Sequence, residues 1–355
     1  MGQTLSEPIT DKHTTSGSDE RLAFAASSMQ GWRITMEDAH THILNLLASA
    51  ASSPAPAQRH SFFAVYDGHG GSAVAKYSGN HLHRKIVEDP AYAAKDYPLA
   101  IKNGFLATDV DLKISPEYLA DPAGCTAVTV LITDEMHVYC GNAGDSRAVL
   151  SREGNAIPLS YDHKPTNPGE TARIRAAGGY VEFGRVNGNL ALSRAVGDFE
   201  FKQNPGLGPE DQIVTVNPDI ETHQLEVRKD DFIVLACDGI WDCMSNDQVV
   251  DFVMFCIHSG KTLSETCELM MEHCLAGDSD VGGVGCDNMT VVIVAILGDG
   301  KELGLTYEEW VAGVKERWRT KEGRTVFAFR ERFAAIFGEE LLVKVGAAGA
   351  GLGSQ

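Results

Sequence analysis

A short apolar run that stops on a carboxylate constrains this chain more than any other feature. Phe62-Phe63-Ala64-Val65-Tyr66 is aromatic and aliphatic throughout and reads as a buried strand. Asp67-Gly68-His69-Gly70-Gly71 follows at once, so an acid stands where the chain leaves the core. The glycines let the backbone turn tightly and approach a ligand closely. A carboxylate, a bare backbone carbonyl and an imidazole together suit a hard cation with a proton donor beside it. Taken alone, Asp67-Gly68 is equally an ordinary turn. The theme recurs, however. The apolar run 232–237 ends in Asp238-Gly239, with Asp242 four residues after Asp238. Asp287 precedes a strand expected over 291–297, and Asp145 stands beside strands expected over 136–140 and 148–151.

Core strands of one sheet system bring such residues to a common rim, where like charges are costly without cations. The candidate donors are all oxygens, which selects Mg²⁺ or Mn²⁺ over zinc. Two such ions sharing a carboxylate and a water would supply hydroxide for in-line attack on phosphorus. Phosphate-monoester hydrolysis demands that kind of site, because it needs acceleration of up to ~10²¹-fold. The net charge of −19 repels phosphate backbones, so nucleic acid is not an expected partner. The eight cysteines form no Cys-x-x-Cys pair and several lie in apolar runs, as reduced core residues of an intracellular protein would. The longest apolar run, 291–297, is strand-sized, and no secretory signal is visible.

In chain order, Gly2 with Ser6 fits an N-myristoylation pattern, and one acyl chain would give reversible membrane attachment at most. The polar stretch to about residue 20 reads as a flexible arm, and a first strand is expected over 24–28. Arg33 then precedes Glu37 and Asp38; its planar fork fits phosphate oxygens, and the acids could hold a metal directly or through water. A surface ion pair is the plainer reading of those three. Helical composition spans 71–88 and 99–112. The stretch 124–132 is a strong strand, and 162–168 is a loop leading into a short helix. Capping boxes at Ser245, Thr262 and Thr306 open three further helices, and 324–337 reads as a last one.

These segments carry a resemblance. Gly31-Trp32-Arg33, Met36-Glu37-Asp38-Ala39-His40, Tyr66-Asp67-Gly68-His69-Gly70-Gly71, Gly144-Asp145-Ser146-Arg147, Val186-Asn187-Gly188, Ser193-Arg194-Ala195-Val196-Gly197-Asp198, Cys237-Asp238-Gly239-Ile240-Trp241-Asp242 and Asp287-Asn288-Met289-Thr290 stand in the order of one family's motifs. Over about residues 20–298 the chain resembles the metal-dependent protein phosphatase 2C (PPM) family of serine/threonine phosphatases. The resemblance implies an α+β fold: two antiparallel β-sheets packed as a sandwich and flanked by helices in αββα layers. It implies that Asp67 bridges two Mg²⁺ or Mn²⁺ ions and that the Gly68 carbonyl binds one of them. Asp238 and Asp287 would bind the other, and Glu37 and Asp38 would hold metal waters. Arg33 would take the substrate phosphate, with Arg185 in a flap beside the site. His69 would be the general acid for the leaving oxygen. Asp145, Asp238 and Asp242 would hold a third, weaker metal. Cys125 stands where many members carry Ser or Thr, and Thr126 keeps the hydroxyl.

The expected organisation is a flexible arm over 1–20, a catalytic domain over 21–298, a C-terminal helical extension over 299–342 and a disordered tail over 343–355. Phosphorylated proteins are the expected substrates of a monomeric cytoplasmic or nuclear enzyme. The competing readings are a pseudophosphatase that only binds phosphoproteins and a hydrolase of small phosphorylated metabolites.

Overall fold

The computed structural model describes residues 4–47, 59–279, 283–300 and 304–321. The chain opens with strands β1 (Thr4–Ser18), β2 (Leu22–Arg33), β3 (Ala39–Ile43), β4 (Ser61–Tyr66) and β5 (Gly68–His69). Helices α1 (Ala73–Glu88), α2 (Pro90–Ala93), α3 (Tyr97–Ile114) and α4 (Pro116–Leu119) follow. Then come β6 (Gly124–Cys125), β7 (Ala127–Ile132), β8 (His137–Ala143), β9 (Arg147–Arg152) and β10 (Asn155–Pro158). Helix α5 (Pro168–Ala176) leads into the short strands β11 (Val181–Glu182), β12 (Arg185–Val186) and β13 (Val196–Gly197). The chain continues with β14 (Asp219–Gln224), β15 (Asp230–Ala236), α6 (Asp238–Trp241), α7 (Asn246–His258), α8 (Leu263–Cys274), β16 (Met289–Ile296) and α9 (Tyr307–Thr320).

The first sheet runs β1-β2-β16-β15-β9-β10 and the second β14-β8-β7-β4-β3, antiparallel in every pairing. Alternation along the strands decides which layer each residue joins. Phe24, Val65, Val130, Ile233, Leu235, Val292 and Val294 meet between the sheets. Their neighbours Phe232, Val234, Val291 and Ile293 face the opposite way, onto α7, α8 and α9. On the second sheet Phe62, Ala64, Tyr66 and Leu131 pack against α1 and α3 through Leu82, Ile101 and Phe105. The result is the expected αββα sandwich. Each such fully buried side chain stabilises the fold by about 1.5–3 kcal/mol.

Two expectations change. The flexible arm predicted over 1–20 is, across Thr4–Ser18, an edge strand paired with β2 from Thr4↔Arg33 to Ser18↔Ala23. Backbone hydrogen bonds to β2 hold it, which polar composition does not report. The boundary at 298 also separates residues that share a core: Trp310, Val314 and Trp318 of α9 are buried among α7 and the first sheet. The Trp310 indole N–H donates to the Asp231 carbonyl at 2.7 Å. Arg317 pairs with the Asp231 carboxylate, and Lys321 with Asp251 at 2.8 Å. Gly2, the helix expected over 324–337 and the tail from 343 lie outside the described residues. Among the described residues no helix is long and apolar enough to cross a membrane. All eight cysteines are free thiols, and only Cys243 is less than fully buried.

Candidate active site

Strand β4 delivers Asp67 to one end of the sandwich, and β15 delivers Asp238 as the first residue of α6. Strand β2 ends there at Arg33, and Asp287 lies just before β16. The two Asp-Gly pairs have a common cause. A Cβ on Gly68 would stand 2.3 Å from the Glu37 carbonyl oxygen, and one on Gly239 would stand 2.1 Å from that of Asn288. Each glycine therefore permits a close backbone crossing beside an acid, a stronger demand than a turn makes. Asn288 ties the crossing together: its side chain accepts from Glu37 N–H at 2.9 Å and donates to the carbonyls of Gln30 and Thr35.

Asp67, Asp238 and Asp287 line one cavity of about 410 Å³ with Arg33, Gly68, His69, Asp145 and Arg185. Burial raises the pKa of Asp67 well above the carboxylate range, and the charges of Asp238, Asp38, Asp287 and Asp145 raise it further. Burial raises Asp238 as well, reinforced by Asp145, Asp287 and Asp242. Asp38 stands behind the cavity wall, 8% exposed; burial raises its pKa although Thr290 donates to its Oδ2 at 2.7 Å. Its Oδ1 is buried without a hydrogen-bond partner. Asp38, Asp67 and Cys237 offer ligand atoms within 4.8 Å of one another. Cys237 adds a sulfur that burial keeps as a thiol, a poor ligand, so the donors are the crowded carboxylate oxygens with one orphaned lone-pair site, a set that fits a hard divalent cation. Glu37 is not among the residues that line the cavity, and its carboxylate accepts from Thr35 Oγ1 at 2.8 Å.

Thr126 supports the floor. Its hydroxyl accepts from Asp67 N–H at 3.2 Å and bonds the Ser146 hydroxyl at 2.7 Å. The sequence motifs separate Arg33 from the acids, but the fold pairs it with Asp287, Nη2 to Oδ2 at 2.5 Å. Burial raises the Asp287 pKa, and Arg33 opposes that rise. Asp145 is 4% exposed and carries its own counter-ion: Lys164 Nζ lies 2.5 Å from Oδ2. Asp242 falls one turn after Asp238, with its N–H donating to the Asp238 carbonyl at 2.8 Å. His69 bonds through Nε2 to both carboxylate oxygens of Asp198, at 2.9 and 2.8 Å. Arg185 is exposed on the β11–β12 hairpin, and its Nη1 donates to the Asn189 carbonyl at 2.6 Å. Lys164, Asp198 and Asn288 have no assigned role in the sequence reading, although each stands in or beside a motif singled out there.

The family model for protein phosphatase 2C matches residues 22–280. The chain belongs to that family. This phosphatase 2C is 52% identical over 323 residues to protein phosphatase 2C homolog 2 of Schizosaccharomyces pombe, covering 91% of this chain and 85% of that one. It is 44% identical over 339 residues to protein phosphatase 2C homolog 2 of Saccharomyces cerevisiae, covering 95% and 70%. Among solved structures, a phosphatase from a pathogenic strain of Toxoplasma gondii is similar at a TM-score of 0.64 and 29% identity, covering 81% of this chain and 96% of that one. As a member of the family, this phosphatase 2C is a metal-dependent serine/threonine protein phosphatase.

Proposed function

We propose that the cavity takes phosphoserine and phosphothreonine side chains of protein substrates and hydrolyses them with two tightly held Mg²⁺ or Mn²⁺ ions and a third, weaker one. The observation that carries this is the convergence of Asp67, Asp238 and Asp287 with Arg33 and His69 on one cleft. Asp67 would bridge the two tight sites and the Gly68 carbonyl would complete one. Asp238 and Asp287 would hold the other, with Glu37 and Asp38 on bound waters. When bound, such ions polarise the phosphate and make hydroxide available at neutral pH. Arg33 holds phosphate oxygens, Arg185 contacts the substrate from the flap, and His69 gives a proton to the leaving oxygen. The location we propose is cytoplasmic or nuclear, as a monomer, with reversible membrane attachment through a myristoylated Gly2.

Stripping metal, verified by elemental analysis, is expected to end turnover of phosphopeptides, and Mn²⁺ to restore it. Full turnover in the stripped protein contradicts the reading. Faster turnover of small phosphorylated metabolites than of phosphopeptides would move the substrate class.

Arg33→Ala is expected to raise KM for phosphopeptide by roughly 10–10²-fold with little change in kcat. A charge-assisted bond worth about 1.5–3 kcal/mol is then lost from ground and transition states alike. An unchanged KM counts against the clamp. Asp145→Ala is expected to keep the fold and the two tight ions but lose roughly 10²–10⁴-fold in turnover, the scale of positioned acid–base catalysis. Calorimetric metal stoichiometry beside kcat across a Mn²⁺ titration checks it; wild-type turnover at every concentration leaves Asp145 only its pair with Lys164.

A further inference from the structure

One buried carboxylate in the cleft belongs to none of the cation sites. Asp198 is 3% exposed and lines the cavity, with both oxygens against His69 Nε2. Three independent features build that contact. The small sheet β13-β6-β5 sets His69 and Gly197 opposite the same residue, Gly124. A Cβ on Gly124 would stand 2.3 Å from Asp198 Oδ2 and 2.7 Å from His69 Nε2, so only glycine leaves room for the pair. Asp198 itself sits at φ 51°, ψ 43°, in the left-handed region that residues other than glycine rarely adopt. The segment is pinned from behind. Gly197 N–H donates to Asp109 Oδ1 at 2.8 Å, and the buried Lys202 ammonium bonds the same oxygen and the Ala195 carbonyl, each at 2.8 Å.

We propose that Asp198 is the positioning residue for His69. It holds Nε2 and the ring plane, so that Nδ1 is the nitrogen facing the substrate. The inference rests on the reading of His69 as the leaving-group acid. In that step the attacking oxygen bonds to phosphorus as the bond to the seryl or threonyl oxygen breaks. The leaving oxygen's electron pair takes the proton from Nδ1, and the neutral ring keeps its proton on Nε2, donated to Asp198. A leaving group that is stable as an anion needs neither the proton nor the positioning.

The test is a double-mutant cycle of Asp198→Asn and His69→Gln on a phosphoseryl peptide and on p-nitrophenyl phosphate. Asparagine keeps the shape and tolerates the left-handed backbone. We expect Asp198→Asn to lower kcat on the peptide by roughly 10²-fold, the lower end of general acid catalysis, with KM and Mn²⁺ stoichiometry unchanged. We expect turnover of the aryl ester to stay within about threefold, and the second substitution to add no loss to the first, because groups that act as a unit are not additive. Equal losses on the two substrates, or additive losses on the peptide, overturn the positioning role. If His69→Gln is selective for the peptide and Asp198→Asn is not, the acid reading stands and this proposal falls. If His69→Gln is itself unselective, both fall. A second measurement uses the wild-type protein with Mg²⁺, so it holds even if Asp198→Asn fails to fold. In its ¹H–¹⁵N spectrum, assigned against His69→Gln, the neutral His69 ring is expected to carry its proton on Nε2; the Nδ1–H tautomer overturns the proposal.

Discussion

Asp67→Asn is expected to abolish phosphopeptide turnover and, in the metal-free protein, to raise thermal stability. Burial and the charges of Asp238, Asp38, Asp287 and Asp145 hold the Asp67 pKa well above that of an unfolded chain. An acid with a raised folded pKa contributes stability below its unfolded value, and that stability is lost as pH rises through the folded one. At neutral pH Asp67 therefore opposes folding, whether it stays charged or takes up a proton that the unfolded chain would release, unless a cation offsets it. Asparagine keeps the shape and removes the charge. Chelator-treated variant should melt above chelator-treated wild type at pH 7.5, with a smaller gap at pH 5. Each 1 kcal/mol is worth about 2–4 °C in domains of 150–250 residues and less in one this size. Added Mn²⁺ should reverse the order, since ligand linkage stabilises only the protein that binds it. Turnover by the variant at any Mn²⁺ concentration, or a lower melt than wild type in chelator, refutes the argument.

Trp310→Ala is expected to cost about 3–5 kcal/mol of unfolding free energy, although the residue lies beyond the last family motif. Trp310 is 1% exposed and is the largest of the fully buried side chains. Truncation leaves a cavity against the first sheet and orphans the Asp231 carbonyl that its indole N–H serves. Asp231 stands near the start of β15, whose far end leads into Asp238; five residues along the strand to Ala236 already span roughly 17 Å at the rise of a β-strand, so kcat of the folded fraction should not change. Equilibrium urea unfolding under reducing conditions measures the loss. A loss below 1 kcal/mol would show α9 to be an appendage with no part in the core.

How much of this was legible in the sequence follows from burial. Central strands covered on both faces, such as β4, β7, β15 and β16, carry largely apolar runs and are found. The four edge strands are not. In β1, β3, β10 and β14 most residues are only partly buried or exposed, so no run or clean alternation marks them. Pro8 even sits inside β1, tolerated because the ladder is irregular between Thr4 and Ile9. The capping boxes at Ser245, Thr262 and Thr306 are local, and each opens a helix as read. In the site, the carboxylates are legible because each follows or precedes an apolar run. Asp198 and Lys164 are not. Their partners His69 and Asp145 lie 129 and 19 residues away, and no periodicity links a side chain to a contact made across a fold.

The position of β16 also governs the order in which a nascent chain can assemble. The second sheet uses only strands between Ala39 and Gln224, so all its neighbours exist once that stretch has been synthesised. The first sheet cannot close then. Its two halves, β1-β2 and β15-β9-β10, are joined solely by β16, which pairs Met29 with Met289 and Ala236 with Val291. Until residue 296 has left the ribosome, β2 and β15 each present an unpaired apolar edge, the kind of surface that chaperones cover. The proposed cation site spans that seam. Asp67 comes from the early sheet, Asp238 and Asp287 from the flanks of the late one, so a metal held there would reward folding only after the last strand is in place.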